Sequence, residues 1–144
     1  AHLRRARIAW LDDDRAPAWL LRRIVEAVAE ANRRRFDFAV EGFDERIQIA
    51  RYPAETEGHF DWHSDVGEGP LARRRKLTLV AQLSDPADYA GGRLELNPDG
   101  RPQEAPRARG DAVLFPSFVL HRVTPVTAGE RASLTIWAHG PPLR

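Results

Sequence analysis

Two histidines and two aspartates lie close together in EGHFDWHSDVGEG, residues 57–69. His63 and Asp65 are two positions apart, and in an extended strand such residues project to the same side. An imidazole nitrogen and a carboxylate oxygen placed this way can bind one metal ion, whereas a solvated polar loop would explain the same pattern. For His59, upstream, we expect a role near the metal or facing a substrate, or that of a plain polar residue.

His121 is a third candidate ligand, because it follows the apolar segment DAVLFPSFVL and opens the segment HRVTPV. Alone it could be a hydrogen-bonded core histidine. Together with His63 and Asp65 it forms a set of two histidines and one carboxylate. Such a set leaves coordination positions open, as non-haem Fe(II) oxygenases require, whereas a structural zinc site is closed by four protein ligands. The chain contains no cysteine, which excludes thiolate ligands and disulfides.

Arg131 follows His121 by ten residues, in the alternating segment GERASLTIW. The alternation places Ser133 and Thr135 on the same face as Arg131. An arginine is costly to bury unless an anion meets it, and its planar fork suits a carboxylate. A surface arginine on an edge strand is the alternative. The pattern predicts a dicarboxylate that binds the metal at one end and Arg131 at the other.

One helix and a series of short strands must position these residues. DDDRAPAWLLRRIVEAVAEANRRR has apolar residues at helical spacing, an aspartate cap and Pro17 near the first turn. About eight strands follow, each bounded by proline or glycine. They are FDFAV, RIQIARY, KLTLVAQL, RLEL, DAVLFP, HRVTPV and RASLTIWA, with the approach to HSD.

These elements predict a mainly β fold, a double-sheet jelly roll (double-stranded β-helix, cupin-like) with an N-terminal helix packed on one sheet. We expect one domain over residues 1–144, with helical support at about 12–35 and the jelly-roll core at about 36–141. Residues 66–75 could form a substrate lid in which Arg73, Arg74 and Arg75 contact an acidic substrate, or could be a solvated charge run.

The chain resembles a known family in the order of HSD, RKLTLVAQLSDP, YAGGRLEL and GDAVLFPSFVLHRVTPVTAGERASLTIW. It is similar to the 2-oxoglutarate- and Fe(II)-dependent dioxygenases of the prolyl 4-hydroxylase type, in particular the small bacterial PKHD-type hydroxylases. The resemblance covers about residues 46–141 and is most specific from FPS to the end of LTIW. Collagen-type members have lysine where this chain has Arg131.

The resemblance implies a jelly roll with iron in its mouth, held by His63, Asp65 and His121. Arg131 would bind the distal carboxylate of 2-oxoglutarate, and Tyr52 would hydrogen-bond the same group unless it is ordinary core. Ser133 and Thr135 are further candidates for cofactor contact. The implied co-substrates are 2-oxoglutarate and O₂, with ascorbate as a possible reductant. Related halogenases lack the carboxylate ligand, so Asp65 favours hydroxylation.

The resemblance makes a peptidyl residue such as proline the first expectation for the substrate, and a free amino acid or small metabolite the alternative. A cupin-like metal-binding module without oxygenase activity, or a non-catalytic member of the family, would be a different class of function. Arg131 argues against the cupin, which has no need of it, and the complete ligand set argues against the non-catalytic member.

The charge and hydropathy patterns bear on partners and location. The net charge of +1 gives no overall field for nucleic acid, and no apolar run approaches the roughly 20 residues of a membrane helix. We therefore expect no nucleic-acid or membrane partner and a cytoplasmic location.

Overall fold

Two antiparallel β-sheets face each other in the computed structural model, which describes residues 3–12 and 16–142. Strands are numbered in chain order. The smaller sheet has the spatial order β1 (Arg4–Arg5), β4 (His59–His63), β10 (Leu120–Val123), β7 (Leu94–Asn97) and β8 (Gln103–Glu104). The larger has β2 (Arg7–Leu11), β3 (Ile47–Pro53), β11 (Val126–His139), β5 (Arg75–Gln82) and β9 (Ala112–Pro116), while β6 (Tyr89–Gly91) pairs with β11. This confirms the predicted jelly roll.

Helix α1 (Ala18–Ala31) packs its apolar stripe on the outer face of the larger sheet. Ile24 and Val28 are buried there against Leu134 and Ile136 of β11. The predicted helix against one sheet is therefore confirmed. Pro17 is the N-cap and no side chain caps the helix, so the predicted aspartate cap is wrong for Asp12. Residues 13 and 14 lie outside the described part of the chain.

The segment FDFAV, residues 36–40, is not a strand, and that prediction is wrong. A π-helical turn (Asn32–Phe36) extends the helix, and Asp37 then takes a left-handed conformation with φ 51°. The Asn32 side chain satisfies the backbone of Phe38, donating to its carbonyl at 2.9 Å and accepting from its N–H at 2.8 Å. These bonds supply locally the backbone partners that a sheet would otherwise provide.

The segment HRVTPV was predicted as one strand but divides between the two sheets. β10 ends at Val123 in the smaller sheet, and β11 begins at Val126 in the larger one. Pro125, between them, has no N–H to donate to a ladder. Thr124 instead forms two hydrogen bonds with Arg93. Its backbone N–H donates to the Arg93 carbonyl at 2.9 Å, and its hydroxyl oxygen accepts from the Arg93 backbone N–H at 2.8 Å.

A register shift between β4 and β10 sets which side chains point inward. His121 pairs with His63, and Val123 pairs with Phe60, so two residues of β4 face Arg122 alone. This is the arrangement of a β-bulge, and it reverses the alternation of side chains along the bulged strand. Phe60 and His63, three positions apart, consequently both line the space between the sheets.

The described residues contain eleven strands, where about eight were predicted. The additions are short, and β1 and β2 precede the helix in an arginine-rich segment without the pattern of a buried strand. Within the described residues, no helix is both long and apolar enough to span a membrane.

Candidate active site

His63, Asp65 and His121 meet where β4 and β10 lie side by side. Asp65 Oδ1 is 3.3 Å from His63 Nε2 and 3.2 Å from His121 Nε2. One ligand atom from each residue lies within 4.8 Å of the others. Direct pairing of His63 with His121 across the ladder brings together residues that are far apart in sequence.

Backbone carbonyls determine the orientation of both imidazoles. His63 Nδ1 donates to the carbonyl of Asp61 at 2.7 Å, and His121 Nδ1 donates to that of Val119 at 2.9 Å. A carbonyl only accepts, so Nε2 of each neutral ring carries the lone pair that faces Asp65. Three acceptor atoms converge, which is favourable only with a cation, either a proton or a metal ion, between them.

The Asp65 carboxylate is held by its other oxygen. Thr78 Oγ1 donates to Oδ2 at 2.8 Å and Trp137 Nε1 donates to it at 3.1 Å, which directs Oδ1 towards the histidines. Burial alone would raise the pKa of Asp65, but the imidazoles of His121 and His63, when a ring carries the bridging proton, and the N–H of Trp137 hold this pKa well below its usual value. The ligand set thus includes a negative charge in a buried site.

Arg131 is the largest fully buried side chain described, with 0% exposure. None of its three guanidinium nitrogens has a hydrogen-bond partner among the described residues. Burial, opposed by the neighbouring Tyr52 and Tyr89, lowers the pKa of Arg131 below its usual value. An arginine remains charged in proteins, so an anion is needed to balance it.

The stem of Arg131 packs against Gly92, which the sequence analysis did not single out. A Cβ at Gly92 would lie 3.2 Å from Arg131 Cδ and 2.9 Å from Val126 Cγ2, and the residue has φ +61°. Glycine therefore meets both a conformational and a spatial requirement here. The pair of glycines in YAGG was the available signal.

One cavity of about 670 Å³, within the usual range for small-molecule sites, joins these features. Its lining includes every residue predicted as an iron ligand or a co-substrate contact: His63, Asp65, His121, Arg131, Tyr52, Ser133 and Thr135. Tyr52 pairs with Arg131 across β3 and β11, and the guanidinium carbon lies 5.4 Å from the centre of its ring. Burial raises the pKa of Tyr52, so its phenol stays protonated and able to donate.

Of the remaining candidates, Arg75 lines this cavity and His59 does not. Among the described residues that line the cavity, neither His59 nor Asp61 is present. In the 66–75 segment, Arg74 pairs with Asp44 and Glu41, and Arg75 pairs with Glu45. These two arginines are therefore engaged by carboxylates of the chain itself. Sequence patterns did not indicate a role for Thr78 or the contact of Trp137 with Asp65. Both residues lie on the inward face of a strand, which was the only available signal.

Comparisons with known proteins agree with this geometry. The sequence profile of the 2OG-Fe(II) oxygenase superfamily matches residues 47–139. A PKHD-type hydroxylase of Sphingopyxis alaskensis is 41% identical over 102 residues, 66% of this chain and 45% of that protein. Another from Teredinibacter turnerae is 45% identical over 79 residues, 55% of this chain and 35% of that protein. The chain thus spans less than half the length of these relatives.

Solved structures show the same architecture. A Pseudomonas putida prolyl-4-hydroxylase aligns with TM-score 0.75 and 29% identity, over 96% of this chain and 71% of that one. A Trichoplax adhaerens prolyl hydroxylase, solved with a hypoxia inducible factor peptide fragment, aligns with TM-score 0.78 and 23% identity, over 95% of this chain and 64% of that one. At that identity the second likeness concerns the fold alone.

The profile match extends from β3 to the end of β11 and therefore includes every residue discussed above as a ligand or as a partner of one. The family's description names Fe(II) and 2-oxoglutarate, the two groups that the ligand set and the buried arginine were predicted to receive. This chain belongs to the 2OG-Fe(II) oxygenase superfamily.

Proposed function

We propose that the chain holds Fe(II) through His63, Asp65 and His121 and binds the distal carboxylate of 2-oxoglutarate through Arg131. It would couple oxidative decarboxylation of 2-oxoglutarate to hydroxylation of an unactivated C–H bond. One observation carries this proposal: three converging acceptor atoms line the same cavity as a buried guanidinium that has no hydrogen-bond partner in the described part of the chain.

The residues fit both groups. Two imidazole nitrogens and one carboxylate oxygen are the donor set of non-haem Fe(II) oxygenases, and three protein ligands leave positions for a chelating co-substrate and O₂. A dicarboxylate meets the need for an anion at Arg131 while its other end reaches the metal. The hydroxyls of Tyr52, Ser133 and Thr135 line the same cavity and would donate to this co-substrate.

Bound iron and 2-oxoglutarate supply the oxidising chemistry, in which O₂ places one oxygen atom in succinate and one in the substrate, with release of CO₂. The chain's own residues bind and orient. The carbonyls of Asp61 and Val119 keep the imidazole lone pairs directed into the site, and Thr78 and Trp137 hold the carboxylate.

An anaerobic absorbance titration tests the proposal. Apo-protein is titrated with Fe(II) and then with 2-oxoglutarate, and a weak visible charge-transfer band should require both additions. Arg131→Ala should keep Fe(II) binding but need more 2-oxoglutarate, whereas His121→Ala should lose the band. No band from folded, iron-loaded wild-type protein would contradict the oxygenase and favour a cupin-like metal module.

For the substrate we propose a peptidyl residue such as proline. Support comes from the PKHD-type relatives and the P. putida prolyl-4-hydroxylase. A screen of proline-containing peptides and free amino acids, with ascorbate present as the predicted reductant, tests this class. Peptides should gain one oxygen atom by mass spectrometry together with succinate release. Turnover of free amino acids alone would contradict it.

A further inference from the structure

A second set of contacts reaches Asp65 from outside the ligand set. Arg75 Nη1, at the start of β5, donates to the backbone carbonyl of Asp65 at 3.2 Å. The Arg75 guanidinium also lies over the Trp137 ring, 3.8 Å from its centre. Trp137 in turn donates to Asp65 Oδ2. Arg75 therefore restrains the aspartate twice, through its backbone and through the indole that holds its carboxylate.

Arg75 is itself held by a buried pair. Glu45 accepts from Arg75 Nε at 2.7 Å and Nη2 at 2.6 Å, a bidentate arrangement that determines the plane of the guanidinium. His139 Nδ1 accepts from the backbone N–H of Asp44 at 3.0 Å, so its Nε2 donates to Glu45 Oε2 at 2.8 Å. His139 is 0% exposed, and the Glu45 side chain is 9% exposed.

We propose that Glu45, Arg75 and His139 are positioning residues which, through Trp137, hold Asp65 in the orientation that binds the metal. This inference rests on the proposed iron site. The three residues come from the segment before β3, the start of β5 and the end of β11. Their hydrogen bonds link His139 to Glu45 and Glu45 to Arg75, which contacts the Asp65 backbone and the Trp137 ring. A rotated carboxylate would present the wrong oxygen to the metal.

An ordinary stabilising ion pair is the competing explanation, and direct contact of Arg75 with a substrate is another, since Arg75 and Glu45 also line the cavity. Neither explanation predicts a change in metal affinity in a protein that remains folded. Partners that orient a metal ligand typically change metal affinity by roughly 10–100-fold. Metal affinity therefore distinguishes positioning from both alternatives.

The experiment is an anaerobic titration of apo-protein with Co(II), followed by its visible ligand-field absorption. Wild type is compared with Glu45→Gln, Arg75→Lys and Trp137→Phe, all checked for folding by circular dichroism and thermal unfolding. We expect about tenfold weaker Co(II) binding and an altered band in each variant. Arg51→Gln is the matched control, because it breaks the exposed Arg51–Glu130 pair between β3 and β11; it should bind Co(II) like wild type.

The double variant Arg75→Lys/Trp137→Phe adds a coupling test. If Arg75 acts through the indole, the double variant should bind Co(II) about as weakly as either single variant. Should Glu45→Gln fail to fold, Trp137→Phe, which keeps an aromatic side chain but has no N–H to donate, still gives the readout. Folded variants with wild-type Co(II) affinity would overturn the inference. Wild type that binds no Co(II) would overturn the proposed iron site with it.

Discussion

The chain contains the spacing His-x-Asp twice in immediate succession, at His59–Asp61 and at His63–Asp65, and the structure treats them differently. In both, the histidine Nδ1 donates to the carbonyl two residues upstream, Glu57 or Asp61. The His59 Nε2 to Asp61 Oδ1 distance is 3.8 Å and that aspartate side chain is 62% exposed. The corresponding distance at His63 is 3.3 Å, and the Asp65 side chain is 8% exposed.

The difference between the motifs arises from their neighbours. The first motif lies at the end of β4 paired with β1, where His59 is opposite Arg5. The second lies opposite His121 of β10, which completes the ligand set. The bulge between them reverses the alternation, so the two histidines do not share a face as their spacing of four in a regular strand would require. Local spacing is thus necessary for the metal site but does not create it.

Of the changes predicted here, removal of one candidate metal ligand should have the largest effect on metal binding. His121→Ala leaves the second motif with only two ligands, as at the first. We expect at least about 100-fold weaker Fe(II) binding and loss of 2-oxoglutarate turnover, since the other ligands cannot replace it. Calorimetric Fe(II) titration under nitrogen provides the measurement. Unchanged affinity would show that the ion binds elsewhere.

Arg131 provides the next test, because of the two His-x-Asp motifs only His63–Asp65 lines the same cavity as this buried cation. Arg131→Gln should raise the KM for 2-oxoglutarate at least about 30-fold, since losing one partner of a buried charge pair costs about 2–5 kcal/mol. Fe(II) affinity without co-substrate should stay near wild type. Initial rates of succinate formation against 2-oxoglutarate concentration measure the effect. A wild-type KM would contradict the assigned role.

Lowering the pH should affect the surroundings of the His63–Asp65 motif through protonation of Glu45. Burial raises its pKa, but the hydrogen bonds from Arg75 and His139 prevail and lower it from 4.5 to about 2. A lowered folded-state pKa contributes stability above the unfolded value and loses it as pH falls. Glu45→Gln should therefore cost about 2 kcal/mol at neutral pH, a deficit that shrinks between pH 4.5 and about 2. Urea unfolding of wild-type and Glu45→Gln apo-protein across this pH range measures the deficit. A stability difference that does not change with pH would contradict the prediction.

The smallest effect is expected at the first motif. His59→Ala and Asp61→Asn should leave Fe(II) affinity and 2-oxoglutarate KM within about twofold. Asp61→Asn, on a side chain that is 62% exposed, should also leave the free energy of unfolding within about 0.5 kcal/mol. These variants also serve as controls for His121→Ala. A large loss of Fe(II) affinity in either would show that the two motifs act together, and the comparison would fail.

Much of the cavity wall could be predicted from strand alternation alone. RASLTIWA has period two, so Arg131, Ser133 and Thr135 had to share a face, and the structure lines the cavity with all three. The same argument was wrong for FDFAV. There the Phe36 and Phe38 rings stack at 5.8 Å, and the Asn32 side chain takes the backbone bonds that a strand would need.

The contacts with Asp65 could not be predicted in the same way. Glu45 is 30 residues from Arg75 and 94 from His139, and neither spacing carries a pattern. Strand alternation places Trp137 on the same face as Arg131, but its bond to Asp65, 72 residues away, depends on how the two sheets pack.

By itself, the sequence determined the chemical types and the order of the candidate ligands, the helix with its apolar stripe, and the inward face of β11, because these depend on residue identity and on the period of a strand or helix. Tertiary structure alone decided which His-x-Asp pair meets His121, where β4 bulges, and that Arg131 is buried with no hydrogen-bond partner among residues 3–12 and 16–142. Those outcomes depend on strand register and sheet packing, which join residues that no local pattern connects.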